Sequence, residues 1–261
     1  MEFKNITLQS QSSFLSFEGI KNLLIRNLTI SKCNFTQNII QVNNLTNLKM
    51  ENIIITENKF QQGFIFANQS VNVFSNQIQV INNQLNANIN QQSQINPYLF
   101  NFQQVQQVLF SNITFNNSQN LGFINFTGMM ISFQFLYSMQ ITNCFFNEIQ
   151  LQIPVILITY GQTISITNMT VQKMNSSHFM QIQLVDQLFL IKLTFINVNE
   201  HLIEQKNLES SLSKQFQKYL LSFGGIKNFI LSNLQISFCN NIGQQSLSKQ
   251  NNNNQLNIKH K

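Results

Sequence analysis

Charge is what this chain has least of. Only 9% of its 261 residues are Asp, Glu, Lys or Arg, with a single Arg (Arg26) and a single Asp (Asp186). Such a scarcity of acids argues against chemistry that needs carboxylates to converge on a substrate or a metal. The Glu residues are scattered, and Glu51 with Glu57 is the nearest approach to a pair. The net charge of +6 comes from dispersed lysines, without the run or stripe that marks a nucleic-acid binder. Three cysteines (Cys33, Cys144 and Cys239) are too few for a disulfide framework and share no metal-ligand spacing with His178, His201 or His260. Long apolar runs are missing too. The best, Ile153 to Tyr160, is strand-length, well short of the ~18–20 residues that span a bilayer. The first residues, MEFKNITLQSQS, hold no apolar signal core, so the chain either is not secreted or is a piece of a longer one.

What is present is 43% hydrophobic residues, 25 of them Phe, in a background of Asn, Gln, Ser and Thr. That is enough for a sizeable core. The apolar residues are also arranged in a repeat: LSFEGIKNLLIRNLTISKCN (15–34) returns as LSFGGIKNFILSNLQISFCN (221–240), identical at 13 of 20 positions. A looser motif, two alternating apolar residues, an anchor, then two more, fits the chain nine times. Its anchors are Asn5, Asn27, Asn52, Gln77, Asn112, Ser138, Asn168, Lys192 and Asn233, most of them 22–26 residues apart. A period in that range signals a solenoid.

The apolar alternation changes phase at each anchor: Leu23 and Ile25 share one parity, Leu28 and Ile30 the other. A straight strand would then flip its apolar face outward. Two short strands meeting at a corner keep both pairs inside, and Asn suits the corner because it tolerates the left-handed conformation. Asn5, Asn27, Asn52, Asn112, Asn168 and Asn233 are therefore expected to form a structural ladder. A third apolar segment follows in each repeat (39–42, 63–67, 122–126, 154–160, 180–185, 219–223), β-branched and aromatic with period-2 character. Three strands in a coil of about 22–25 residues define a parallel β-helix. The reading is all-β, a right-handed parallel β-helix solenoid of about nine coils over residues 1–242.

Coils such as NLTISKCNF and IIQVNNLTNLKMENIIITENKF resemble those of right-handed parallel β-helix proteins of the pectin-lyase-like superfamily. The Asn/Gln-rich, Phe-rich dialect is similar to β-helix stretches in ciliate surface and transmembrane proteins. The resemblance implies enzymes that use clustered aspartates, with calcium and a basic residue in the lyases. A lone Asp186 and a lone Arg26, far apart, do not supply that set. An alternative architecture is a leucine-rich-repeat solenoid, since Ile25 to Phe35, Met50 to Phe60 and Leu136 to Phe146 fit its formula. The third strand argues against it.

Insertions lengthen two intervals. Residues 86–97 read as a polar loop. Residues 202–220 read as a helical insertion near 207–220, with Leu208, Leu212, Phe216 and Leu220 on one face after an N-cap at Asn207. Residues 243–261 read as a low-complexity disordered tail. Cys33, Cys144 and Cys239 are expected at equivalent turn positions, in one column with Asn58 and Asn83. Ten N-x-S/T triplets, at Asn5, Asn27, Asn34, Asn44, Asn68, Asn112, Asn116, Asn125, Asn168 and Asn175, are glycan acceptors if the chain is extracellular and chance products of composition if not. A ladder amide enclosed in a corner would be a poor acceptor.

If Ile65 and Ala67, and likewise Ile124 and Phe126, point inward, simple alternation turns Phe64, Phe66 and Phe123 outward, as a binding patch or as rings covered by a loop. The functional expectation is a non-catalytic scaffold or adhesion module, a segment of a larger cell-surface protein, without cofactor. The alternative is a carbohydrate-processing β-helix enzyme or its degenerate relative. The partners expected are a protein or carbohydrate ligand, not nucleic acid, and no membrane insertion by this segment. Open coil ends are expected to associate end to end or to continue into further coils of a parent chain.

Overall fold

The computed structural model describes residues 2–4, 6–8, 13–85, 98–119, 121–127, 138–151, 154–176, 179–198, 201–206, 219–237 and 255–260. Among them there is no helix, and 17 strands join in one curled sheet whose pairings are all parallel. The chain is a parallel β-helix. Each coil supplies a long strand bent at its anchor, such as Asn22–Ser31, Asn47–Thr56 and Asn72–Ile81, and a third strand, such as Ile40–Asn43, Ile65–Asn68 and Tyr98–Gln103. We call the half before the anchor wall one, the half after it wall two, and the third strand wall three. A two-residue strand (Asn34–Phe35, Lys59–Phe60, Gln84–Leu85) adds a minor ladder between walls two and three in the first coils. Several strands per coil, with no helical convex arm among the described residues, distinguish this fold from a leucine-rich repeat.

The register explains why the repeat is strict. Leu28, Ile53, Ile78, Ile113, Cys144, Met169 and Leu193 stand directly above one another just past the corner. All are buried, so a one-residue slip would turn this column to solvent. Three left-handed residues mark the turns of a coil: Asn27, Lys32 and Asn44, then Asn52, Glu57 and Gln69, then Gln77, Asn82 and Gln104. Wall three ends at Gly19 and Gly225 in the two near-identical segments, with φ of 65° and 64°, where glycine carries no Cβ penalty.

Four expectations are corrected. The anchor of the fifth complete coil is Asn143, with φ 55°, not Ser138, which pairs with Gln107 at the start of wall one. It follows that Cys144 lies one residue past a corner, in register with Ile113 and Met169, and does not share the column of Cys33, Asn58 and Asn83. Residues 202–206 and 219–220 of the expected helical insertion belong to the strands His201–Lys206 and Tyr219–Gly224, which pair in parallel. Within the expected disordered tail, Gln255–His260 is a strand lying parallel on Asn228–Ser237. The polar loop 86–97, the helical pattern over 207–218, Asn5 and Cys239 lie outside the described residues.

The interior is closed and aromatic. Phe64, Phe100, Phe123, Phe146, Phe179 and Phe195 form an unbroken chain of edge-to-face contacts, with ring centroids 5.3–5.8 Å apart, running up the solenoid. Such contacts add ~0.5–1.5 kcal/mol each beyond the area they bury.

Candidate functional site

Two kinds of amide ladder result from the corners, and they do different things. At the anchors the amides face solvent: Asn52 donates to Asn27 (3.0 Å), Asn143 to Asn112 (3.3 Å) and Asn168 to Asn143 (2.7 Å). Asn112 donates to Asn76 (2.8 Å), one residue before the anchor Gln77. Asn233 keeps the left-handed corner, with φ 56°, and is exposed. A second ladder, exposed at Asn22 and half-buried at Asn47 and Asn72, runs at 2.8 Å per step. The anchor amides are thus not enclosed. At Asn112 and Asn168 it is the Nδ2 itself, the atom a glycan would occupy, that is committed to the ladder. Asn125 is committed likewise, to Asn101, whereas Asn44 and Asn175 are exposed and have no ladder bond among those described.

The inner ladder sits six residues after the corner and is buried. Asn58 Oδ1 accepts from the Cys33 backbone N–H (2.9 Å), and Asn58 Nδ2 donates to the Ile30 carbonyl and to Asn83 Oδ1 (3.0 Å each). Asn83 repeats the pattern on Asn58 N–H (3.0 Å) and the Ile55 carbonyl (2.8 Å). These side chains satisfy backbone groups that the turn leaves unpaired inside the core. Neither of the two described cysteines carries a reactive signature. Cys33 and Cys144 are buried free thiols, and burial pushes the Cys144 thiol up to about 12, so it stays protonated at neutral pH.

Phe64 and Phe123 are fully buried and do not form the expected patch, while Phe66 is half-buried on the outer side of wall three. Alternation fails here because a bend precedes wall three. Both Ile39 and Ile40, like Phe64 and Ile65, point inward as consecutive residues.

Concavity is found on the outer face of wall one instead, in a groove of about 150 Å³ lined by Lys49, Glu51, Phe74, Asn76, Leu109 and Ser111 over the backbone of Met50 and Ser75. The register makes it. Lys49, Phe74 and Leu109 stack in one outward column, and Glu51, Asn76 and Ser111 in the next. Glu51 binds Lys49 Nζ (2.7 Å) and Arg26, whose Nη2 lies 2.6 Å and Nε 2.8 Å from Oε2. Hydrogen bonds from Lys49 and then Arg26 hold its carboxyl below the usual carboxylate range. Asn76 Oδ1 accepts from Ser111 (3.0 Å) and Asn112. Glu57, the other half of the candidate pair, is in the next turn and faces Lys32 at 3.7 Å. Phe74, Asn76, Leu109 and Ser111 were legible only as outward-parity positions; the signal for a groove is the register that stacks them. Among the described residues no three of His, Cys, Asp or Glu gather where they could hold a metal, and no helix is long and apolar enough to cross a membrane.

No family model, curated protein or solved structure matches the chain. Its functional reading therefore rests on its own geometry.

Proposed function

We propose that this β-helix is a non-catalytic scaffold, an adhesion or interaction module of a larger cell-surface protein. The observation that carries the reading is the state of Glu51, the carboxylate of the groove, held ionised by two cations. A general acid needs its carboxyl raised toward neutrality, not lowered. The remaining described ion pairs, Lys173 with Glu148 (3.0 Å) and Lys227 with Asp186 (2.7 Å), are likewise surface pairs across neighbouring coils.

The second reading, a carbohydrate-processing β-helix or its degenerate relative, draws on the apolar shelf of Phe74 and Leu109 beside Glu51. One experiment separates the two. Incubation with neutral and acidic oligosaccharides should give no new reducing ends and no unsaturated product. Turnover that disappears in Glu51→Gln while the fold survives would replace the scaffold reading with the enzyme. Saturable binding without turnover, weakened in Phe74→Ala, would name a carbohydrate as the scaffold's ligand.

A further inference from the structure

The ten Asn-x-Ser/Thr triplets of the chain are equivalent in sequence and unequal in the fold. An N-glycan acceptor belongs in a surface loop, with its amide nitrogen and the hydroxyl two residues on both within reach of a transferase. Asn5 and Ser177, the hydroxyl residue after Asn175, lie outside the described residues, which leaves eight of the ten triplets to place. In three the nitrogen is taken. Asn112 Nδ2 donates to Asn76 (2.8 Å), Asn125 Nδ2 to Asn101 (3.1 Å) and Asn168 Nδ2 to Asn143 (2.7 Å). Asn27 is fixed in the same anchor ladder, its Oδ1 accepting from Asn52. In two more the hydroxyl is taken. Ser70 and Ser118 are buried, and each donates back to the carbonyl of its own triplet's asparagine, Asn68 (3.3 Å) and Asn116 (3.4 Å). Asn34 is half-buried within the strand Asn34–Phe35, which pairs with Thr7–Leu8 on one side and Lys59–Phe60 on the other.

Asn44-Leu45-Thr46 is arranged the other way round. The triplet turns the chain from wall three into wall one, with Asn44 left-handed at φ 53°. Leu45 is buried in the core, and Asn44 and Thr46 on either side of it are exposed. The Asn44 amide makes no side-chain hydrogen bond among those described, while its backbone N–H, donating to the Asn68 carbonyl (3.2 Å), holds the turn in place. The next coil shows what one residue of phase does. Asn43 is in register with Asn68, and Asn44 and Gln69 hold the same left-handed corner, so Ser70 takes the inward place of Leu45. Shifted by one position, the triplet Asn68-Gln69-Ser70 loses its hydroxyl to the core.

We propose that Asn44 is the N-glycan attachment site among the described triplets. The inference rests on the cell-surface reading, because only a chain that enters a secretory route meets the transferase. The bond formed joins Asn44 Nδ2 to the anomeric carbon of a lipid-pyrophosphate-linked oligosaccharide. The anomeric C–O bond breaks, the lipid pyrophosphate leaves with its electron pair, and Nδ2 gives up one proton. A glycan there projects from an exposed turn and leaves every described ladder bond intact.

The test sends the full chain, behind a cleavable leader, through the secretory route of a eukaryotic host that adds N-glycans. Enzymatic removal of glycans in heavy-oxygen water, from the chain recovered from that route, marks each occupied Asn for peptide mass spectrometry. Asn44 should be marked at high occupancy, and Asn112, Asn125 and Asn168 at no more than trace levels. Asn44→Gln and Thr46→Ala should each abolish the mark at 44, and Thr46→Ser should keep it. Circular dichroism should be unchanged in all three, because both positions are exposed in a turn. An unmarked Asn44, or marks at Asn112 and Asn168 as strong as at 44, would overturn the inference and leave the cell-surface reading untouched. That reading fails separately, since the leader supplies the entry. A chain glycosylated behind the leader but found unmodified in the interior of the cells that make it naturally would remove the cell-surface reading, and the natural glycan with it.

Discussion

The left-handed residue is the unit on which this molecule turns, and its identity varies more than its geometry. Asn27, Asn52, Asn112, Asn143, Asn168 and Asn233 hold the anchor corner beside Gln77 and Lys192, all with φ between 53° and 57°. Left-handed geometry costs most residues ~1–2 kcal/mol, and less for Asn. Lys192→Asn should therefore raise unfolding stability by ~1 kcal/mol, because the corner is exposed and the new amide stands above Asn168. Urea denaturation of the two proteins measures this, and no gain would show that the corner preference is not limiting. Amides of the inner ladder matter more. Asn58→Ala strips partners from the Cys33 N–H and the Ile30 carbonyl, both in the core. At ~1–3 kcal/mol for each buried group left unpaired, it should cost about 3 kcal/mol. By contrast Asn52→Gly, at an exposed corner that glycine enters freely, should stay within about 0.5 kcal/mol of the parent.

At the scale of the element, wall three shows how far alternation can be trusted. Phe64 sits at the bend just before Ile65–Asn68 and Phe123 is the second residue of Gly122–Thr127, and at both places two successive side chains, Phe64 with Ile65 and Phe123 with Ile124, enter the core. Phe123 touches Phe100, Phe110, Phe115 and Phe146 at 5.4–5.6 Å, and Phe123→Ala should cost ~3–5 kcal/mol. An exposed-patch residue would lose almost nothing, so the same urea experiment decides between the two placements. Gly63 beside Phe64 is equally constrained: a Cβ there would lie 2.1 Å from the Tyr98 carbonyl oxygen of the next coil. The strands themselves were legible because the parity change at Asn27 and Asn52 has no other economical explanation than a corner. The phase of the Asn143 coil was not, since Met139 and Ile141 follow Ser138 as naturally as they precede Asn143. Only pairing with Val108 and Phe110 of the coil below selects between the two. The groove was illegible for a related reason. Phe74 and Leu109 are 35 residues apart in sequence, and nothing but the register across the 86–97 insertion brings them together.

For the whole molecule, stability in a solenoid is a sum of coils and nearest-neighbour interfaces, so position along the axis should set local stability. The middle coils, from Tyr98–Gln103 to Met180–Val198, have a strand on both sides of every wall described, and the aromatic chain runs through them. Among the described residues, the lowest turn has a neighbour above it only, along Leu15–Glu18 and Asn22–Arg26. Opening that turn breaks one interface, whereas opening a middle coil breaks two. Native-state hydrogen exchange should accordingly show amide protection rising from Leu15–Glu18, through Ile40–Asn43, to a plateau over Ile156–Ser176, with the inner coils exchanging only by global unfolding. Uniform protection from end to end would mean that the coils do not unfold as nearest neighbours.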